Sequence, residues 1–306
     1  MATSTPSDSV AQAGEAILPV EATTARLLIV CPDQPGIISA VSTFLYHHGA
    51  NITDFDQHAS DPDAGTFFLR MEFQTPGLDC SWDTLKNNFQ ARVANQYGMD
   101  WQLTLAAEKK RMAIMVSRHD HALMELLWRT MGGDLAATIP LVISNHDDLR
   151  GEVERFGIPY HHIPVTRDNK EEAEQQALSL LDGQADLIVL ARYMQILSPE
   201  FVRHHPHRII NIHHSFLPAF VGANPYQQAW ERGVKLIGAT SHYVTDDLDQ
   251  GPIIEQNVAR VSHRHSPAEL KALGQEVERS VLLRAVRWHL EDRVIVDGNK
   301  TVVFTR

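Results

Sequence analysis

The chain has 306 residues, of which 43% are hydrophobic and 21% charged, and it carries a net charge of −11. This length suits about two domains of average size, and the composition supports packed cores rather than a disordered chain. The acidic balance argues against nucleic acid as a partner, because affinity for nucleic acid depends on clustered lysine and arginine.

Cysteine content and hydropathy narrow the class of protein further. The two cysteines, Cys31 and Cys80, are too few for a disulfide framework or a four-thiolate zinc site. No apolar run approaches the roughly 18 residues of a membrane helix, so we expect no membrane partner. Residues 1–24 contain no lysine or arginine and no continuous apolar stretch. We interpret them as a flexible tail without a signal peptide, and we expect a cytoplasmic protein.

Residues 25–107 are predicted to form a first domain with the βαββαβ order of ferredoxin-like folds. Apolar residues alternate or run continuously where strands are expected, and they recur at helical spacing in two segments. The predicted strands are residues 26–31, 52–58, 66–73 and 99–105, the predicted helices begin at Ile37 and Trp82, and turns are expected at 32–36 and 61–65.

Residues 108–306 are predicted to form a second domain, in which strands alternate with helices around a parallel sheet. Residues 187–190 are apolar throughout, as expected for a strand buried on both faces. The predicted strands are residues 112–117, 140–144, 161–165, 186–191, 209–213, 235–244, 252–261, 293–296 and 301–304. Ser266 and Glu269 form a capping box before a long helix. Met131 and Trp288 lie on apolar helical faces and are expected in the core.

Two polar residues lie near the end of the predicted strand 209–213. Asn211 and His213 are two positions apart, so they project to the same side of a strand. The carboxyl ends of parallel strands are where open α/β sheets bind ligands. An amide can stabilise a developing oxyanion and an imidazole can transfer a proton. The pair is therefore either catalytic or a polar cap on the strand.

An acidic segment follows the next predicted strand. Asp246, Asp247 and Asp249 lead into a Gly-Pro turn. A solvated acidic loop explains Asp246 and Asp247 by themselves. Asp249 differs only if the loop folds back over Asn211 and His213.

The chain contains 17 histidines, several of them in adjacent pairs, which raises the question of a metal site. It has no His-Glu-x-x-His and no Cys-x-x-Cys spacing. We therefore expect no metal and no cofactor.

Residues 190–199, 211–218, 225–233 and 242–252 together resemble the formyltransferase family that uses 10-formyltetrahydrofolate, and within it the formyltetrahydrofolate deformylases. Residues 31–37 resemble the first strand, loop and helix of an ACT domain. The resemblance implies an ACT-like regulatory domain over residues 25–107 and a Rossmann-like, mostly parallel catalytic domain over residues 108–306.

By this resemblance Asn211, His213 and Asp249 fall on the family's catalytic residues. Asp249 would orient or deprotonate water, best with a pKa raised by burial. Asn211 and His213 would stabilise the tetrahedral oxyanion. Whether His213 or Asp249 carries the proton stays open. The residues implied to bind the substrate are Arg192, Met194, Ile196, Leu197, His242 and Asp246.

The ACT resemblance implies an effector site at Asp33, Gly36 and Asn51, with glycine or methionine as the family's usual effectors. The alternative is a domain that only assembles the oligomer, for which the family suggests a homotetramer.

The implied reaction is hydrolysis of 10-formyltetrahydrofolate to formate and tetrahydrofolate, with the formate entering either purine synthesis or a demethylation pathway. The alternatives are formyl transfer to an amine acceptor and a non-catalytic amino-acid or folate sensor. Residues 117–122 contain no glycine and include Asp120, which argues against a bound ribonucleotide phosphate. Val221 replaces an expected lysine, which puts any role of that lysine in doubt.

Overall fold

The computed structural model of the chain describes residues 24–61, 65–217 and 225–305. The predicted tail up to residue 23, Val221 and the centre of the predicted turn at 61–65 lie outside the described residues. The chain divides into two compact units, with the boundary between Ala107 and Glu108. Within the described ranges, no helix combines the length and the apolar character needed to cross a membrane.

The first unit is a four-stranded antiparallel sheet with the strand order β2-β3-β1-β4. Its elements are β1 (Thr24–Pro32), α1 (Ile37–His47), β2 (Asn51–Ala59), β3 (Thr66–Gln74), α2 (Trp82–Phe89), a π-helical turn (Gln90–Ala94), α3 (Asn95–Tyr97) and β4 (Asp100–Leu105). The predicted βαββαβ order is confirmed, with α2 and α3 forming one nearly continuous helix through the π-helical turn.

The core of this unit follows from the period of two in β1. Ala25, Leu27 and Ile29 are buried together with Val41 of α1 and Leu85 of α2. Alternate residues of a strand face the same side, so this side of the sheet is covered by the helices. Each large apolar side chain buried there stabilises the fold by about 1.5–3 kcal/mol.

The second unit is built on a mostly parallel sheet with the order β12-β11-β10-β9-β5-β7-β8, and the short β6 pairs with β5. Its strands are β5 (Lys110–Val116), β6 (Ala137–Thr138), β7 (Val142–Ser144), β8 (Tyr160–His162), β9 (Leu187–Ala191), β10 (Ile209–His213), β11 (Leu236–Tyr243) and β12 (Ile253–Arg260). Its helices are α4 (His121–Met131), α5 (Arg150–Glu154), α6 (Lys170–Leu181), α7 (Pro199–His204), α8 (Pro225–Glu231) and α9 (Pro267–Leu290). A separate hairpin, β13 (Val294–Asp297) and β14 (Lys300–Val303), follows.

Strands β5 to β10 run parallel, whereas β11 and β12 are antiparallel. All five residues of β9 are buried, which confirms the prediction of a strand covered on both faces. Met112 and Ile114 of β5 join one hydrophobic cluster, and Ala113 and Met115 join another. The sheet therefore separates two cores, as expected when helices cover both of its sides.

The long helix α9 begins at the predicted capping box: Ser266 Oγ accepts from the Glu269 backbone N–H, and the Glu269 side chain accepts from the Ser266 backbone N–H. Trp288 on this helix is partly buried against the larger core. The prediction for Met131 is wrong, because its side chain is 64% exposed. Met131 shares an exposed face of α4 with Trp128, three residues earlier, which is 70% exposed.

A buried histidine at the end of α9 predicts acid sensitivity. His289 Nδ1 lies 2.7 Å from Tyr243 Oη, and burial, followed by nearby Lys110, lowers the pKa of His289 to about 3. In the unfolded chain, this histidine binds a proton as the pH falls through about 6.5. In the folded chain, it stays neutral until the pH is much lower. Stability should fall as the pH drops below 6.5, by up to about 1.4 kcal/mol per pH unit from this group.

We expect His289→Gln, which keeps an acceptor for Tyr243 but does not titrate, to flatten this dependence. The measurement is the urea midpoint followed by circular dichroism at several values between pH 7 and pH 4.5. His263→Gln is the control, because His263 is exposed. An equal acid slope in His289→Gln and the parent protein would contradict this explanation.

Candidate active site

Polar side chains gather where β10 meets β11. Asn211 and His213 lie two residues apart on β10, and the antiparallel β11 places His242 directly opposite Asn211. Residues directly opposite on paired strands share a face of the sheet. The predicted alignment of Asn211 and His213 is therefore extended by His242 from the neighbouring strand.

The acidic loop after β11 folds back onto the sheet. This is the arrangement that would distinguish Asp249 from the other acidic residues of the loop. A Cβ at Gly251 would lie 1.8 Å from the Tyr243 carbonyl oxygen, so only glycine permits this approach. The Tyr243 N–H donates to the Pro252 carbonyl at 2.9 Å. Asp249 itself has a left-handed backbone with φ of 55°, a conformation that Asp tolerates better than most residues.

This geometry brings four side chains into contact. His213 Nδ1 lies 3.2 Å from Asp249 Oδ2, and His242 Nε2 lies 3.6 Å from Asp249 Oδ1. Asn211 Nδ2 lies 3.3 Å from His242 Nε2. His213 thus contacts Asp249 directly, whereas Asn211 is connected to Asp249 through His242.

The raised pKa that would make Asp249 a better base is not found. The hydrogen bond from His213, followed by the interaction with His242, outweighs partial burial and holds the pKa of Asp249 well below its ordinary value. A carboxylate flanked by two imidazoles is stabilised in its charged form. Asp249 is therefore a persistent anion that orients its neighbours, and it is a weak base.

His242 controls the orientation of the Asn211 amide. Its Nδ1 lies 2.9 Å from the Tyr243 carbonyl oxygen, which can only accept, so Nδ1 carries a proton. When the ring is neutral, Nε2 accepts from Asn211 Nδ2. A protonated ring would donate to Asp249, and Asn211 would have to turn its oxygen toward it. His242 is 2% exposed, so it acts on Asn211 and Asp249 from a position shielded from solvent.

The residues implied to bind the substrate lie in two loops, apart from His242, which lies on β11. Met194 and Ile196, between β9 and α7, are 55% and 59% exposed, whereas Leu197 packs partly against the core. The Met194 backbone N–H donates to Ser117 Oγ at 3.0 Å, which fixes this loop against the end of β5. Asp246 is exposed in the β11–β12 loop. No hydrogen bond or ion pair with another described residue joins it to the four clustered side chains.

Sequence reasoning missed a buried carboxylate beside this site. Glu278 on α9 is 1% exposed; its Oε2 lies 2.8 Å from His121 Nε2, and its Oε1 accepts from Tyr226 Oη at 2.8 Å. A Cβ at Gly274 would lie 2.0 Å from Tyr226 Oη, so this glycine makes room for the tyrosine. The sequence did contain a signal for the burial of Glu278. Glu278 lies three residues before Val281 and therefore shares the buried side of the helix.

Comparisons with known proteins agree with this architecture. A formyl transferase family model matches residues 110–286, and an ACT domain model matches residues 25–78. The formyltetrahydrofolate deformylase of Bacillus subtilis is 59% identical, over 91% of this chain and 93% of that protein. A crystal structure of a formyltetrahydrofolate deformylase from Pseudomonas syringae pv. tomato has a TM-score of 0.89 and 51% identity, covering 92% of this chain and 94% of that one.

The chain belongs to the formyltetrahydrofolate deformylase family. The resemblance recognised in the sequence and the two-domain fold are thereby confirmed. A glycinamide ribonucleotide transformylase from Symbiobacterium toebii also shares the fold, with a TM-score of 0.60 and 27% identity. That match covers 64% of this chain and 95% of the other, so the transformylase matches only part of this deformylase-family chain.

The residues implied for an effector do not form one site within a single ACT unit of this deformylase-family chain. Asp33 and Gly36 follow the end of β1, whereas Asn51 begins β2. Both strands are antiparallel to β3, where Pro32 pairs with Thr66 but Asn51 pairs with Gln74. The two groups therefore lie at opposite ends of the sheet, about 26 Å apart along a strand rising 3.3 Å per residue.

The same unit contains a group that the sequence did not reveal. Among the described residues, His48, Asp79 and Cys80 bring three possible metal-ligand atoms within 4.8 Å of one another. His48 Nδ1 lies 2.7 Å from Asp79 Oδ1 and 3.6 Å from Cys80 Sγ. This hydrogen bonding lowers the pKa of Asp79, so the three groups already satisfy one another without an ion.

Proposed function

We propose that this chain hydrolyses 10-formyltetrahydrofolate to formate and tetrahydrofolate. The observation that carries the proposal is the cluster at the end of β10, in which His213 Nδ1 lies 3.2 Å from the Asp249 carboxylate and His242 connects Asn211 to the same carboxylate. It is supported by the relatives named formyltetrahydrofolate deformylase, which are 42–59% identical over most of the chain.

The reaction adds water across a formamide C–N bond. Asn211 Nδ2 donates to the oxyanion that forms when water attacks the formyl carbon. Asp249 accepts from His213 Nδ1, which leaves Nε2 of His213 to take a proton from the water and return it to the leaving nitrogen. The C–O bond forms and the C–N bond breaks, and the product formic acid releases the second water proton to solvent to become formate. Because Asp249 holds a proton poorly, we assign the transfer to His213.

The remaining residues shape the substrate pocket. The exposed side chains of Met194 and Ile196, with Leu197 beside them, offer an apolar surface for the pterin ring, and Arg192 and Asp246 flank it. His242 acts as a positioning residue through Asn211. The mechanism uses hydrogen bonds and one proton carrier, so we propose that it requires no metal and no cofactor.

Water is the proposed acceptor because the first βα turn of the catalytic unit is unsuited to a phosphate. It lacks glycine, and Asp120 places a negative charge at the start of α4, where a bound phosphate would favour positive charge or free N–H groups. His121 from the same turn is engaged with buried Glu278.

The test supplies 10-formyltetrahydrofolate with and without excess glycinamide ribonucleotide and follows both formate and the formylated nucleotide. We expect formate as the product in both cases, at an unchanged rate. Formylated nucleotide as the main product would establish formyl transfer instead. Tight folate binding with neither product would favour a sensor.

Regulation is proposed to occur through the ACT unit, with glycine or methionine as effector. Because Asp33 and Gly36 lie at the other end of the sheet from Asn51, an effector that contacts all three needs two copies of the chain, consistent with a homotetramer. Calorimetry with each amino acid, alongside rate measurements, should detect binding that changes the rate, since an effector must favour one of two states. Binding of neither amino acid would leave the unit an assembly module.

A further inference from the structure

Arg192, between β9 and α7, is a buried cation with spare hydrogen-bond donors. Its side chain is 11% exposed, and its backbone is held at a φ of 64° in the left-handed region. Among the described residues, neither Nε nor Nη1 has a hydrogen-bond partner. A buried guanidinium without such partners is costly, so these donors point to a ligand.

The neighbouring anion, Glu278, does not hydrogen-bond to Arg192. Glu278 Oε1 accepts from Tyr226 and Oε2 contacts His121, each at 2.8 Å. Arg192 Nη1 lies 3.6 Å from Glu278 Oε2, close enough for an ion pair but too far for a hydrogen bond. Glu278 therefore compensates the charge of Arg192 but leaves its N–H groups available.

His214 links this cation to the catalytic residues. Its ring stacks on His213, with ring centroids 5.1 Å apart. Burial, with the nearby charges of Arg192 and His213, lowers the pKa of His214 to about 4. His214 is therefore neutral at pH 7, so it adds no charge beside Arg192 and His213.

We propose that Arg192, backed by Glu278, His121 and Tyr226, forms a binding pocket for a small carboxylate, and that formate is its ligand. This inference rests on the proposed function for the identity of the ligand. Formate forms beside the Asp249 carboxylate, which repels it, while the unpaired N–H groups of Arg192 attract it. A guanidinium also matches the two oxygens of a carboxylate in geometry. The pocket thus gives formate a second place to bind once it has left the site of hydrolysis.

The test measures formate binding directly in the full-length protein without folate, from the saturation-transfer NMR signal of the formate proton. Sodium chloride keeps the ionic strength constant. The main variant is Arg192→Gln combined with Glu278→Gln, because removing only the arginine would leave a buried carboxylate without its cation. Arg192→Lys keeps the charge but loses the forked donors. Arg155→Gln is the control, because Arg155 is an exposed arginine directly after α5.

We expect saturable formate binding in the parent protein and in Arg155→Gln, and a loss of affinity of about 10-fold or more in the double variant. Arg192→Lys should bind formate several-fold more weakly than the parent protein. Absence of saturable binding in the parent protein, or equal binding by the folded double variant, would overturn the proposal. Formate binding that depends on Arg192 in a protein without hydrolase activity would support the pocket and refute the proposed function.

Discussion

Asp249→Asn should lower the turnover of 10-formyltetrahydrofolate by about 10²- to 10⁴-fold, the range expected when a group that supports proton transfer is lost. The substitution replaces a charged acceptor by a neutral amide of the same shape. Asn adopts the left-handed backbone as readily as Asp, so the φ of 55° at this position is preserved. The effect then reports the charge that holds His213 Nδ1 and orients the water.

The measurement is the initial rate of formate release, with folate binding determined separately by calorimetry. Binding should change little, because Asp249 acts on the water and on His213. Asp247→Asn is the matched control: Asp247 lies in the same loop and is exposed, and within the described part of the chain its backbone oxygen accepts from Thr245 and Gln250 of that loop. Turnover in Asp249→Asn equal to that of the parent protein would remove Asp249 from the mechanism.

Asn211→Ala should lower kcat by about 10²- to 10³-fold, as for other single donors to an oxyanion. The oxyanion exists only in the transition state and the intermediate, so KM should stay nearly constant while kcat falls. The substitution also deprives His242 Nε2 of its partner at 3.3 Å.

A full steady-state analysis of Asn211→Ala separates these effects. Asn257→Ala on β12 is the control for loss of an amide in the same sheet, because the Asn257 side-chain oxygen accepts from the next backbone N–H. A change confined to KM would mean that Asn211 binds the substrate and does not stabilise the oxyanion.

The sequence predicted the parts of this site that depend on local periodicity. The alternation along β10 predicted that Asn211 and His213 share a face, and the Ser266–Glu269 box located the start of α9. Recognition of the family added Asp249. These inferences succeeded because strand and helix geometry fixes the direction of neighbouring side chains.

Properties that depend on contacts between distant segments could not be predicted from the sequence. The pKa of Asp249 is set by His213 from β10 and His242 from β11, which lower it although burial acts to raise it. Glu278 meets His121 across 157 residues of chain. Local spacing gives no information on such pairings, because they are fixed by how α4 and α9 pack against the same sheet.

The contact between Gly251 and the Tyr243 carbonyl also bears on how this active site can vary during evolution. A Cβ at residue 251 would lie 1.8 Å from that oxygen, so any other residue must displace the loop that carries Asp249. A screen for inactive variants would identify Gly251 alongside the catalytic residues, although it has no side chain to take part in the reaction. Divergence toward another acceptor can therefore proceed through residues around the pocket, while this glycine is retained as long as the carboxylate at 249 is needed.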